Sequence, residues 1–383
     1  MAGSSESGAR HFALNLAVLR RLFCTMAALL LFASQPLRAE PALERMSNPL
    51  RVATPGGNFS YYVAHEHSAQ PRNALVVMHG HPRDAVKTLQ AAIDAAQAAG
   101  AGGDTLLAAP LFQVPEKLAV HCHSAGLPQP QDGDALWRCG SWIEGGLDNA
   151  GKTGSFNAMD NLLADMKRRW PSLQTITVAG FSAGAQFVQH YVGFAHPPGG
   201  VRLRYVVADP GSWLYFDHLR PQPINGGSCG SETACRFHWQ TLNAGQCPQA
   251  NRWKYGLESL PAHLQRTADA ARRRYAAADI SYLAAADDTG TAPGAYYRIL
   301  DKSCAAQLQG PYRLQRALAY ADYDRRYLAP DKPHRLTIVP GCGHNVACVF
   351  PAPAARQALF PLMQTNHNGN EINLCRQIRQ YRR

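Results

Sequence analysis

Beyond residue 40 the chain has no apolar run approaching the roughly 20 residues that a membrane-spanning helix needs, so stable insertion into a bilayer is not expected. It also lacks internal repeats and low-complexity segments, which argues against a solenoid or a disordered linker. Charge is sparse: 17% of residues are charged against 46% apolar, a globular composition. The net charge of +11 comes from scattered basic residues, never gathered with aromatics into a patch, so nucleic acid is not an expected partner. Zinc signatures are missing too. There is no H-E-x-x-H, and His121-Cys122-His123 has no second pair at finger-like spacing, so no metal is expected.

What is present begins with a leader. Arg10, Arg20 and Arg21 precede the apolar run 22–33, too short to span a bilayer and shaped like a secretory signal peptide. Cleavage is expected after Ala39, or earlier after Ala33. The Arg20-Arg21 pair also suits a twin-arginine signal, with ordinary secretion the preferred route. All but Cys24 of the ten cysteines lie in the mature chain, a density that fits an oxidising compartment, secreted or periplasmic. Cys122 and Cys139 bracket one loop and are the pair most expected to bond. Cys229, Cys235 and Cys247 cluster in another stretch, and Cys304, Cys342, Cys348 and Cys375 lie in the last quarter. The odd number leaves one thiol over.

Along the mature chain, strands and helices alternate. Residues 50–54 and 60–65 read as a hairpin around Pro55-Gly56-Gly57-Asn58. Continuous apolar strands follow at 74–78, 105–109, 175–179 and 204–208, separated by helical patterns at 85–99 and 157–169, with a further one at 183–194. Strands 282–285 and 335–339 and helices 312–328 and 354–363 complete the series. The order implies a mostly parallel sheet with helices on both faces. Between about 210 and 277 this rhythm breaks into Pro, Gly, Cys and aromatic residues, which reads as a cap inserted into one catalytic domain spanning 40–383; the leader occupies 1–39. Within the cap, Trp213 and Trp253 are expected to line a substrate cleft.

The chemistry centres on Gly180-Phe181-Ser182-Ala183-Gly184. A β-branched run feeds into this G-x-S-x-G pattern and a helical pattern leaves it, the context of a nucleophile elbow. Both glycines are expected to be obligatory, since a side chain at either would crowd the neighbouring strand and displace Ser182. Downstream, Ala285-Ala286-Asp287-Asp288 ends one strand and Gly341-Cys342-Gly343-His344 ends the last. Serine is a poor nucleophile until an imidazole accepts its proton, and the imidazole needs an acid to fix its tautomer and stabilise its charge.

With those residues in that order the chain resembles the α/β-hydrolase superfamily over nearly all of its mature length. The resemblance implies a catalytic triad of Ser182, Asp288 and His344. Asp288 stands where the family's G-x-x-D pattern puts the acid, although Ala285 replaces the glycine; Asp287 and Asp209 are the alternatives. It further implies an oxyanion hole from the N–H groups of Ala183 and of His81, since Pro82 has none to give. His79 and His81 read as loop-bracing residues before metal ligands. The expected activity is that of a secreted serine hydrolase cleaving carboxylic esters, small or polymeric, through an acyl-enzyme and without a cofactor. The disulfide-rich build is similar to secreted polyester depolymerases and carbohydrate esterases. A peptidase or acyltransferase of the same fold, or a non-catalytic binding protein, is the alternative.

Overall fold

The computed structural model describes residues 48–360, apart from 65–66, 125, 224–234, 244, 246 and 292–293. The expected leader, Cys229, Cys375 and the end of the last expected helix lie outside the described residues. The strands are β1 (Leu50–Thr54), β2 (Gly57–Val63), β3 (Asn73–Met78), β4 (Thr105–Leu111), β5 (Thr175–Phe181), β6 (Arg202–Ala208), β7 (Leu219–Pro223), β8 (Phe237–Thr241), β9 (Ile280–Ala285) and β10 (Arg335–Val339). Among the longer helices are α1 (Ala85–Ala99), α2 (Ser155–Arg169), α3 (Ala183–Phe194), α4 (Ala268–Ala277) and α5 (Arg313–Tyr323).

Eight strands form one sheet in the order β1-β2-β4-β3-β5-β6-β9-β10. The β1–β2 and β2–β4 pairs are antiparallel and every other pair is parallel. The continuous apolar composition of the central strands follows from this placement, because both faces are covered. In β3, Ala74, Val76 and Met78 enter one core cluster with α2 and α3, while Leu75 and Val77 enter the other with α1. Strand β5 sits between β3 and β6, so the residue after it emerges at the centre of the sheet's edge.

Most elements fall where the sequence pattern put them, and the differences have local causes. β4 runs through Pro110 to Leu111 instead of ending at Ala109. Its pairing with β3 stops at Ala108, so the missing N–H of Pro110 interrupts no bond on that side. The last helical stretch among the described residues is Arg356–Leu359. α1 ends on Gly100 at φ 66°, with the N–H groups of Gly100 and Ala101 returning to Gln97 and Ala96, a Schellman closure.

The stretch expected to form a cap contains a small sheet of β7 and β8, antiparallel to each other. It is folded round the fully buried Arg220, whose guanidinium donates to the carbonyls of Asp217 (2.9 Å), Leu219 (2.7 Å), Tyr255 (3.3 Å) and Ala250 and lies over the Tyr215 ring. α4 belongs to the sheet's own framework, as the crossover helix between the parallel strands β6 and β9, and it packs against α3.

Disulfides join Cys122 to Cys139, as expected, Cys247 to Cys304, and Cys342 to Cys348. The first consumes the thiol that a zinc reading of His121-Cys122-His123 would need. The Cys247–Cys304 bond ties the inserted stretch to the segment after β9. The disulfides among the described residues fit an oxidising, extracytoplasmic setting, and no helix among those residues is long and apolar enough to cross a membrane. Closing a loop with a sequence separation of 17 contributes about 3 kcal/mol. Replacing Cys122 and Cys139 with serine should therefore lower the urea midpoint by a corresponding amount; an unchanged midpoint would mean that the pair does not form.

Candidate active site

Ser182 occupies the turn between β5 and α3 at φ 58° and ψ −120°. A β-carbon disfavours this backbone, so the surroundings must impose it. They do so by close approach. A Cβ added at Gly180 would lie 2.1 Å from the carbonyl oxygen of Gly184, and one at Gly184 would lie 2.4 Å from that of Met78 and 2.6 Å from that of His79. Gly184 thus keeps α3 against β3, whereas Gly180 keeps the strand against the helix start rather than against a neighbouring strand. Ser182 donates its N–H to Ala208 of β6 at 3.0 Å. The side chain is left at the strand ends, where open parallel sheets place their ligands.

His344 follows β10. Its Nε2 lies 2.9 Å from Ser182 Oγ and its Nδ1 lies 2.8 Å from Asp288 Oδ2. The loop that presents it is closed by the Cys342–Cys348 disulfide, and the ring packs against Phe181 at 4.7 Å between centroids. Burial outweighs the favourable Asp288 hydrogen bond and pushes the imidazole below its ordinary pKa. Burial thus favours the neutral ring, whose Nε2 faces Ser182 Oγ and can accept a proton.

Of the three carboxyl groups considered for the acid, Asp288 meets His344. Its other oxygen accepts from Arg313 Nη1 of α5 at 3.2 Å, and both partners are almost fully buried. Arg313 Nη1 also donates to the Ala295 carbonyl at 2.8 Å, which fixes the guanidinium. Asp287 is exposed, with its N–H bonded to Cys342. Asp209 is fully buried; its Oδ1 accepts from the Ala285 N–H at 2.9 Å. Asp209, Asp288 and His344 could together offer ligand atoms to a metal, being within 4.8 Å of one another. Both His344 nitrogens are already engaged with Ser182 and Asp288, however, which accounts for the cluster without an ion.

The loop after β3 faces this chain of bonds. Gly80 donates its N–H to Asp84 Oδ1 at 2.8 Å and accepts from the Arg83 N–H at 3.0 Å. His79 is fully buried. It accepts the Phe112 N–H at Nε2 (3.2 Å), so Nδ1 carries the proton and donates to the Gly80 carbonyl at 2.9 Å. Burial pushes this imidazole down to about 4, consistent with a neutral brace. These turn bonds use the N–H groups of Gly80 and Arg83 and not that of His81. The Ala183 N–H, at the first turn of α3, has no intrahelical acceptor by position. Sequence reading missed Arg83, which at φ 59° is buried and donates to the Cys122 carbonyl (3.1 Å) and Gln113 Oε1 (3.2 Å), tying this loop to the disulfide loop. It missed Arg313 as well. An isolated arginine on a helical pattern carries no signal of an acid 25 residues away.

Comparison with solved structures finds a poly(3-hydroxybutyrate) depolymerase from Bordetella parapertussis, 20% identical, with a TM-score of 0.51 and coverage of 80% of this chain and 88% of that one. A poly(aspartic acid) hydrolase from Sphingomonas sp. KT-1 is 16% identical at the same TM-score of 0.51, covering 82% and 97%. The chain has the α/β-hydrolase fold. No family model and no curated protein matches it in sequence.

Within that hydrolase fold the two tryptophans expected at the cleft separate. Trp213 is a correction: it is fully buried, stacked on Tyr320 at 4.2 Å and edge-on to Tyr282, with its backbone N–H and carbonyl both bonded to Gln309. Its apolar area serves the core, because the segment after β6 turns inward before it emerges. Trp253 is half-buried against His190 and Phe194 and donates Nε1–H to the Glu144 carbonyl at 3.1 Å. Its neighbour Lys254 pairs with Glu144 at 2.9 Å. The His81 ring keeps an exposed edge, yet desolvation and then the Lys254 ammonium hold it below its ordinary pKa. NMR titration should show His344 protonating below the ordinary histidine range, with the His79 midpoint pushed down to about 4. A His344 midpoint near 7 or above would contradict the burial argument.

Proposed function

We propose that this protein is a serine hydrolase of carboxylic esters, with Ser182 the nucleophile, His344 the general base and acid, and Asp288 the orienting carboxylate. The observation that carries this reading is the unbroken chain from Ser182 Oγ to His344 to Asp288, at 2.9 and 2.8 Å. His344 Nε2 takes the serine proton as Oγ attacks the ester carbonyl, and Asp288 offsets the charge of the resulting imidazolium. Arg313 restrains Asp288 without bonding to the oxygen that faces His344. The N–H groups of Ala183 and His81 stabilise the oxyanion. His344 then returns the proton to the departing alcohol, and water repeats the cycle on the acyl-serine. This chemistry calls for no cofactor.

Trp253 and the inserted stretch around it border the substrate. The leader and the disulfides support action outside the cytoplasm. An amide-cleaving alternative is favoured by the equal structural similarity to a poly(aspartic acid) hydrolase, so the test panel should hold short and long acyl esters, oligomeric hydroxyalkanoates and oligo-aspartate. Ser182→Ala and His344→Ala should each lower ester turnover by roughly 10⁴- to 10⁶-fold, and Asp287→Asn should stay within a few-fold of the parent. Undiminished turnover in Ser182→Ala would refute the reading. Turnover of oligo-aspartate alone would replace ester with amide.

A further inference from the structure

A second carboxyl group lies beside the Ser182–His344–Asp288 chain, and the chemistry above makes no use of it. Asp209 directly follows β6, is fully buried, and has φ 49°, a left-handed backbone that a non-glycine residue adopts at a cost. Its Oδ1 accepts the Ala285 N–H at 2.9 Å, whereas Oδ2 is buried with no hydrogen-bond partner. Leaving a buried polar atom unpaired is unfavourable. Bracing Ala285 needs one oxygen and no ionisable group, so that contact alone does not account for an acid here. The cluster geometry is more telling: an oxygen of Asp209, an oxygen of Asp288 and a ring nitrogen of His344 all lie within 4.8 Å of one another.

We propose that Asp209, whose carboxyl lies beside His344 and Asp288 with one oxygen unpartnered, is a reserve acid for His344, able to serve it when Asp288 does not. The inference rests on the proposed roles of Ser182 and His344. Burial, reinforced by the neighbouring Asp288 carboxylate, holds the Asp209 carboxyl well above the usual carboxylate range. Two adjacent buried anions are thereby avoided. Arg313 acts in the opposite sense, favouring the ionised form. When the charge on Asp288 is removed, the repulsion goes and the Arg313 guanidinium loses its anion; both changes favour ionised Asp209. The proton it releases passes to solvent, and its carboxylate then faces the imidazolium that forms when His344 accepts the Ser182 proton. The proposal requires the imidazole or the carboxyl to turn from its present position, with the ligand atoms within 4.8 Å, until the two groups meet at hydrogen-bond length. Asp209 is thus a positioning residue, acting through His344 and touching no substrate.

The test is a double-mutant comparison on the full-length enzyme, with ester turnover measured for the parent, Asp209→Asn, Asp288→Asn and Asp288→Asn/Asp209→Asn. Loss of a triad acid with nothing to replace it costs roughly 10⁴-fold. Here Asp288→Asn should cost at most roughly 10²-fold, and adding Asp209→Asn to it should cost about 10²-fold more. That second factor should exceed the effect of Asp209→Asn in the parent by at least about tenfold. A mere strut for Ala285 would lose the same factor in both backgrounds, and that equality would overturn the proposal. Thermal melts identify any variant that fails to fold, in which case Asp209→Ser replaces Asp209→Asn in the same comparison. If Ser182→Ala keeps full activity the hydrolase reading itself fails; if Ser182→Ala is inactive and the two factors are equal, only the reserve-acid proposal fails.

Discussion

The site depends on a backbone held where a serine does not choose to be. At φ 58° Ser182 carries strain of order 1–3 kcal/mol, and the rest of the centre is arranged to keep it there. The contacts that impose it are main chain on main chain: the start of α3 against the end of β3, and β5 against the first turn of α3, each permitted by a missing side chain at Gly184 and Gly180. Because the interior is close-packed, neither contact can relax without moving a central strand. Strain at one residue is thereby supported by the whole parallel sheet.

Around that fixed point the charges are graded by burial. Burial pushes the His344 and His79 imidazoles below their ordinary pKa and the Asp209 carboxyl well above its own. The Asp288 carboxyl group is held between Arg313 and His344. A single buried negative charge between two groups of opposite or acquirable charge is what a proton-accepting imidazole requires. The same logic explains why the loops are braced from outside. Arg83 links the loop after β3 to the Cys122–Cys139 loop, and Cys342–Cys348 closes the loop bearing His344. Both links restrict the backbone of the loops on which they lie.

Much of this was legible beforehand, and the reasons are physical. Continuous apolar runs such as Ala74-Leu75-Val76-Val77-Met78 mark strands buried on both faces, and glycines two residues either side of a serine mark a turn that no other residue permits. Helix α3 and strand β10 accordingly fall where the pattern put them. The acid was ambiguous because Asp287 and Asp288 are adjacent, and only the fold decides which faces inward. Arg313 and Arg83 carried no signal, since their partners are distant in sequence. Trp213 misled because aromatic content marks both clefts and cores, and its burial depends on how the segment after β6 turns. The ribbon of β7 and β8 was hidden in a stretch whose organising contact is a buried arginine, Arg220, a type rarely found inside unless its hydrogen bonds are met.

The central claim is that Ser182 is made nucleophilic by His344. It is tested most directly by treating the protein with a fluorophosphonate and mapping the adduct by peptide mass. The account predicts one phosphonylated residue, Ser182, with labelling abolished in His344→Ala although the serine remains. No adduct on the parent, an adduct on another residue, or undiminished labelling of Ser182 in His344→Ala would contradict it.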